Sequence, residues 1–178
     1  MTRMRKNAGF IQECITEALI LLMQKQPYDT ITITALTKKA GVSRVSFYRK
    51  FMSKDDILLQ KLETLGTDWW LQQTAQCDSH GYAYALIRHG QSIQHILSLL
   101  YQHDLRHLLL TNIMNTCGAT PEDDTKSAYT KAVLAGSIFG LCDAWISRGM
   151  RETPDEIGTI FQGIDRMLVS KASSQSAQ

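Results

Sequence analysis
Apolar residues recur at spacings of three and four along most of the chain, the period of a helix buried on one side. Phe10, Ile11, Cys14, Ile15, Ala18, Leu19 and Leu22 predict a first helix over about 7–26, ended by Pro27. Beyond the bridge Tyr28-Asp29-Thr30, a shorter run sets Ile33, Leu36, Thr37 and Ala40 on one face, with the Thr32 hydroxyl as N-cap. Gly41 stops this second helix by supplying a left-handed backbone, Val42 plugs the turn, and Ser43 caps a third. From Arg44 to Phe51 the pattern is helical again, with Phe47 and Phe51 as inward partners four residues apart. Ser53 opens a fourth helix, with Asp56 in the manner of a capping box and Leu58, Leu62, Leu65 and Trp69 as its stripe. Further helices are predicted over about 80–89, 91–101, 103–116, 123–148 and 154–169. Gly90 separates the first two of these, and Cys117-Gly118 with Pro121 ends the third. No window reads as a pair of strands with a hairpin turn, so the fold class is all-α.

Two short helices joined by a glycine-containing turn form a helix-turn-helix, whose second helix is slim enough for a major groove. The outward residues of that helix, Ser43, Arg44, Ser46, Tyr48, Arg49 and Lys50, are nearly all donors or cations. Such groups bind phosphates, and a guanidinium such as that of Arg44 can bridge the paired acceptors of a guanine. The plainer alternative is a surface hairpin with a solvated basic face. Lys54, near the amino end of the fourth helix, is expected at a phosphate, and Asp55-Asp56 at capping. The residues expected to touch DNA are Thr32, Thr34, Ser43, Arg44, Val45, Ser46, Tyr48, Arg49, Lys50 and Lys54.

The run from Ile31 to Leu58 resembles the DNA-binding signature of the TetR (tetracycline-repressor) family of bacterial transcription regulators. The resemblance rests on the A-G-V-S turn, the F-Y-R-x-F of the recognition helix and the S-K-x-x-x-L that opens the next helix. Leu36-Thr37 stands where Ile-Ala is usual, and Ser46 where Thr is usual. Neither departure alters the polarity of the docking face, although Ser46 lacks a methyl that could meet a thymine methyl. The resemblance implies a homodimer that reads a palindromic operator and answers to a small-molecule effector.

Charge sharpens the division. Residues 1–61 carry 11 Lys+Arg against 5 Asp+Glu, net +6, whereas residues 62–178 carry 8 against 12, net −4. A cationic head on an acidic body suits a DNA reader better than a protein that coats nucleic acid along its length. The basic arm of Arg3, Arg5 and Lys6 is placed to lie along phosphates or in a minor groove. Cys14, Cys77, Cys117 and Cys142 are widely spaced, giving neither a zinc motif nor a disulfide framework. No apolar run reaches the roughly 18 residues that span a membrane, and no signal peptide opens the chain, so the expected location is cytoplasmic.

The boundary between head and body is expected near residue 52, with 1–52 for DNA binding and 53–178 for dimerisation and effector sensing. Leu62, Leu65, Trp69, Tyr84, Tyr101, Met114, Cys142 and Trp145 are the candidate pocket residues, with Trp70 and Tyr82 in the same aromatic region. The alternative for each is ordinary core packing. The two C-terminal helices carry more apolar surface than one small bundle buries, which predicts a four-helix dimer interface. Its candidates are Leu134, Gly136, Ile138, Gly140, Leu141, Trp145, Ile157, Ile160, Phe161, Ile164 and Leu168. From Ala128 to Met167 the chain also resembles the C-terminal domain of a TetR subgroup typified by the activator of dihydroxyacetone kinase operons. A glycine-spotted helix, a Trp and then Gly149-Met150 followed by Thr153-Pro154-Asp155-Glu156 carry that resemblance.

His103 and His107 lie four residues apart around Asp104, an echo of a zinc-hydrolase helix, but with a shorter carboxylate and no third ligand. The expectation is therefore a regulator with no enzymatic activity, no metal and no cofactor. The reading is a repressor released from a palindromic operator by an effector. An activator or co-regulator of the same fold, or a non-specific architectural DNA binder, is the alternative.

Overall fold
The computed structural model describes residues 2–73 and 81–161, with side chains described over 9–67 and 83–161. Helix α1 (Thr2–Met23) buries Ile15, Ala18, Leu19 and Met23. It ends three residues before Gln26, where the Lys25 N–H turns to the Leu22 carbonyl at 2.9 Å ahead of Pro27. A single 3-10 turn (Tyr28–Thr30) leads to α2 (Ile33–Ala40) and α3 (Arg44–Tyr48). The third helix is shorter than its 44–51 pattern, because the Lys50 N–H tightens onto the Phe47 carbonyl at 2.8 Å. Phe47 and Phe51 are nevertheless both sealed in the core, their rings 5.9 Å apart.

Helix α4 (Lys54–Gln73) starts with the Asp56 N–H on the Ser53 hydroxyl at 3.1 Å, while the Asp56 carboxylate accepts from the Met52 N–H at 2.9 Å. Asp56 thus caps as expected of it, whereas Asp55 accepts a hydrogen bond from the Tyr28 hydroxyl. Gln60 reaches across from α4, donating to the Lys50 carbonyl at 3.4 Å and accepting from the Gln12 amide at 3.2 Å. One side chain thereby ties the exit of α3 to α1.

The body comprises α5 (Gly81–Ser92), α6 (Gln94–Gln102), α7 (Arg106–Cys117), α8 (Thr125–Ser147) and α9 (154–161). Gly90 does not divide α5 from α6; the break falls at Ile93 (φ −114, ψ 16), after the Ser92 hydroxyl folds back onto the His89 carbonyl at 2.7 Å. Gly90 is required for a different reason, since a Cβ there would stand 2.8 Å from the Trp145 ring of α8. Helix α9 opens on a reciprocal cap: the Thr153 hydroxyl accepts from the Glu156 N–H at 3.3 Å, and the Glu156 carboxylate from the Thr153 N–H at 2.8 Å. The predicted extension of this helix to 169 lies outside the described residues. Among the described residues all regular structure is helical, and no helix is long and apolar enough to cross a membrane.

Two apolar clusters organise the packing. The first joins α1, α2 and α3 to Ile57, Leu58 and Leu62 of α4 and continues into Ile96, Leu100 and Leu108 of the body. The expected boundary at 52 therefore passes through a continuous core, between Phe51 and Ile57. The second cluster gathers Leu86, Ile87, Leu97, Ile113, Ala135 and Trp145 among α5 to α8. Leu65 and Tyr101 pack against both.

Candidate nucleic-acid interface
The turn between α2 and α3 is set by local chemistry. The Thr32 hydroxyl accepts from the Ala35 N–H at 3.1 Å, Gly41 takes φ 66 and ψ 29, and the Ser43 hydroxyl accepts from the Ser46 N–H at 3.0 Å. A residue with a Cβ is strained at that φ. Thr37, standing where alanine is usual, is buried, and its hydroxyl donates to the Ile33 carbonyl at 2.9 Å. The departure from the family pattern thus leaves no unsatisfied polar group.

On the outer side, Arg44, Val45, Tyr48 and Arg49 are exposed, and Lys50 is half-buried. Val45 is 62% exposed and Tyr48 55%, so α3 offers apolar surface beside its cations. Met52, 89% exposed, adds to this surface and was not singled out by its sequence context. Thr34 is exposed on α2. Thr32 and Ser43 are exposed but spend an acceptor on capping, and the Ser46 hydroxyl lies 2.9 Å from that of Ser43. The side chains of Arg3, Arg5 and Lys6 lie outside the described residues.

Lys54, expected at a phosphate, is engaged within the chain. Its ammonium donates to the Tyr28 carbonyl at 2.7 Å and sits 4.2 Å from the centre of the Tyr28 ring. Burial and the neighbouring Asp55 push the Tyr28 phenol well above its ordinary range, which keeps it a donor to that carboxylate. The Tyr28 N–H in turn donates to Nδ1 of His103 at 3.3 Å, and Nε2 of His103 lies 2.9 Å from the Met23 carbonyl. With Nδ1 accepting from the Tyr28 N–H, Nε2 is left to donate to the Met23 carbonyl. His103 is held in place by Asp104 at φ 56, with the Leu105 N–H on the Leu100 carbonyl at 2.7 Å. It lies outside α7, so it and His107 do not share a helix face. Tyr28 and His103 tie the end of α1, the start of α4 and the body together, a role that contacts 75 residues apart in sequence gave no local signal for.

A cavity of about 350 Å³ is walled by α4, α5, α6, α7 and α8. Of the expected pocket residues, Leu62 and Cys142 line it. Leu65 packs between the two clusters, Tyr84 is half-buried off the wall, and Met114 is exposed. Tyr101 donates to Asp143 at 2.6 Å, and Trp145 is buried with its indole N–H on the Glu152 carbonyl at 3.0 Å. The side chains of Trp69, Trp70 and Tyr82 lie outside the described residues. His89, Asn112 and Thr116 line the cavity and were not anticipated.

Along α8 the exposed surface carries Tyr129, Val133, Leu134, Gly136 and Gly140, joined by Ile160 of α9. Ile138, Trp145 and Ile157, expected at an interface, instead face the protomer's own second cluster. Leu141 and Phe161 are half-buried against that cluster, while Ile164 and Leu168 lie outside the described residues.

Residues 15–60 match the family model described as bacterial regulatory proteins, tetR family. No curated protein matches the chain in sequence. Among solved structures, the Listeria innocua protein Lin0861 is similar in fold, with a TM-score of 0.71 and 15% identity over 91% of this chain and 92% of that one. The dihydroxyacetone kinase operon activator DhaS gives a TM-score of 0.48 and 18% identity over 90% of this chain and 95% of that one. With its capped turn, exposed cations and matching sequence, the segment 15–60 belongs to the tetR family of bacterial regulatory proteins, and the chain that carries it is a DNA-binding transcriptional regulator.

Proposed function
We propose that the protein is a homodimeric repressor of the cytoplasm, whose hold on a palindromic operator is released when a small molecule enters the cavity in its body. Residues 1–52 read DNA through the exposed side of α2 and α3, with Arg44 at a base edge. Residues 53–178 pair two copies and sense the effector. Two α3 helices on one face of a duplex need a separation of about 34 to 36 Å, which pairing of bodies would fix. The observation that carries this reading is the position of α4: Leu62 belongs to the core that holds the DNA-reading helices and also to the cavity wall. A molecule that shifts Leu62 moves the rod on which the head is seated. It acts by favouring one of two head separations, and its leverage equals its difference in affinity for them.

Pairing is supported by the α8 surface. Tyr129 and Val133 are 72% and 69% exposed, and Gly136 and Gly140 have open space where a side chain would stand, so a second helix can approach closely. Selection of bound duplexes from a random pool, with sedimentation of the free protein, tests both halves. A dimer that enriches one palindrome is expected. A monomer, or binding with no preference over random competitor, would overturn the reading.

A further inference from the structure
The cavity also states what kind of molecule suits it, an inference that rests on the sensing role given to the body above. Among the described residues no Asp, Glu, Lys or Arg contributes to its wall. Its deep side is hydrocarbon, with Leu62, Leu97 and Ile138 each nearly sealed from water. A bound ion there would lose its hydration without gaining a counter-charge from the described wall, a penalty of several kcal/mol for a lone charge in such surroundings.

The titratable groups of the wall already respond to this environment. Burial lowers the His89 imidazole below its ordinary value of 6.5, favouring its neutral form at neutral pH. Burial, reinforced by Asp143, pushes the Cys142 thiol up to about 12, and burial raises Cys117 as well. In each case the charged form is the one disfavoured.

Besides His89 on α5, the wall's hydrogen-bonding side chains stand on α7. Asn112 and Thr116 stand one turn apart on α7, and the Thr116 hydroxyl donates to the Asn112 carbonyl at 2.7 Å, leaving its oxygen able to accept. Thr116 is exposed, so this pair marks the mouth. The volume of about 350 Å³ falls at the small end of pockets that hold organic ligands. We propose that the cavity takes an uncharged, largely hydrocarbon molecule carrying one neutral hydrogen-bonding group, which it seats at Asn112 and Thr116.

Gly66 supplies a clean way to test this. It lines the cavity from within α4, and a Cβ built there meets nothing within 4 Å. A larger residue at 66 fills the space without a clash at its first carbon, and replacing a mid-helix glycine favours the helix. The probes are N-phenyl-1-naphthylamine and 8-anilinonaphthalene-1-sulfonate, which share a skeleton and differ by one sulfonate. The full-length protein should bind the neutral probe saturably and at least about tenfold more tightly than the sulfonate, a difference of about 1.4 kcal/mol. Gly66→Leu should weaken the neutral probe at least fivefold with no fall in unfolding temperature. Asn112→Lys should narrow or invert the preference, a gain for the sulfonate that loss of folding cannot produce. Equal affinity for the two probes, or a neutral probe indifferent to Gly66→Leu, would overturn the proposal. Retention of operator DNA, read in the same samples, separates the two claims. Probe-filled protein that still holds its operator defeats the effector link and leaves the cavity's preference standing. Equal binding of both probes defeats the preference and leaves DNA reading standing.

Discussion

Around Phe47 the chain closes completely, with Ile15, Leu19, Leu36, Phe47 and Ile57 all at 0% exposure. Around the cavity closure is less even: Leu62 and Leu97 keep only 3%, whereas Leu86, Ile93, Ile113 and Ile138 each keep between 7% and 9% of their surface. The head fills its interior with Phe47 on the capped helix α3 and Phe51 just beyond it. The body packs mostly aliphatic residues around Trp145 and leaves about 350 Å³ unfilled. A filled core holds its side chains in one arrangement, whereas a core with a void can repack at little cost. Under the function proposed above, that difference suits a rigid reader fastened to an adaptable sensor, with α4 and the Tyr28 knot as the fastening.

The comparison is broken most directly by deleting equivalent bulk on each side. Phe47→Ala should cost about 3–5 kcal/mol of stability in urea unfolding, whereas Ile113→Ala, already beside a void, should fall near the lower end of its class at about 2 kcal/mol. Matching losses would mean that the two cores differ in shape and not in tightness. Next in size, Arg44→Ala should weaken operator binding by about 1–3 kcal/mol and relax its base preference while leaving cavity probes unaffected. An unchanged sequence preference in a selection experiment would remove Arg44 from the base edge.

The fastening itself is weaker. His103→Ala leaves the Tyr28 N–H and the Met23 carbonyl without this partner and should lower stability by about 1–2 kcal/mol. Lys54→Ala should cost about 1 kcal/mol of stability through the lost contact with the Tyr28 ring and carbonyl. With its ammonium turned inward, it should leave the salt dependence of DNA binding unchanged, and a flatter salt slope would return Lys54 to the phosphates. The smallest effect belongs to the α7–α8 corner. There the Lys131 ammonium at 2.6 Å, then the Thr120 N–H and the Ser127 hydroxyl, hold the Asp123 carboxyl down to about 2 from an ordinary 3.8. Because the folded value is the lower one, this support is complete above 3.8 and fades as pH falls toward 2. Carboxyl carbon NMR should show the low midpoint, and Lys131→Met should move it upward.

Much of the head was legible because its determinants are local. A cap hydroxyl reaches an N–H three residues on, a glycine sets its own φ, and Phe47 and Phe51 meet because the Phe51 N–H still reaches the Phe47 carbonyl at 2.9 Å just past the end of α3. The helix lengths were less legible. Residues 49 and 50 have helical character in sequence, yet the Lys50 N–H tightens the turn there. The intramolecular contact of Lys54 was not legible for a related reason: its charge is local, but the tyrosine it meets stands 26 residues away.

In the body, α8 is apolar nearly all round. Its sequence says that it packs, without saying which of Val133, Ile138 and Trp145 faces inward. The sequence by itself determined an all-helical chain, a cationic head and the turn that presents α3, since each follows from neighbours within a few residues. Only the tertiary structure decided that Tyr28 and His103 clasp head to body, that Ile138 and Trp145 turn into the protomer, and that a neutral void opens beside Leu62. Those outcomes depend on how helices distant in sequence cross, which fixes the long-range contacts and the gaps that no local pattern encodes.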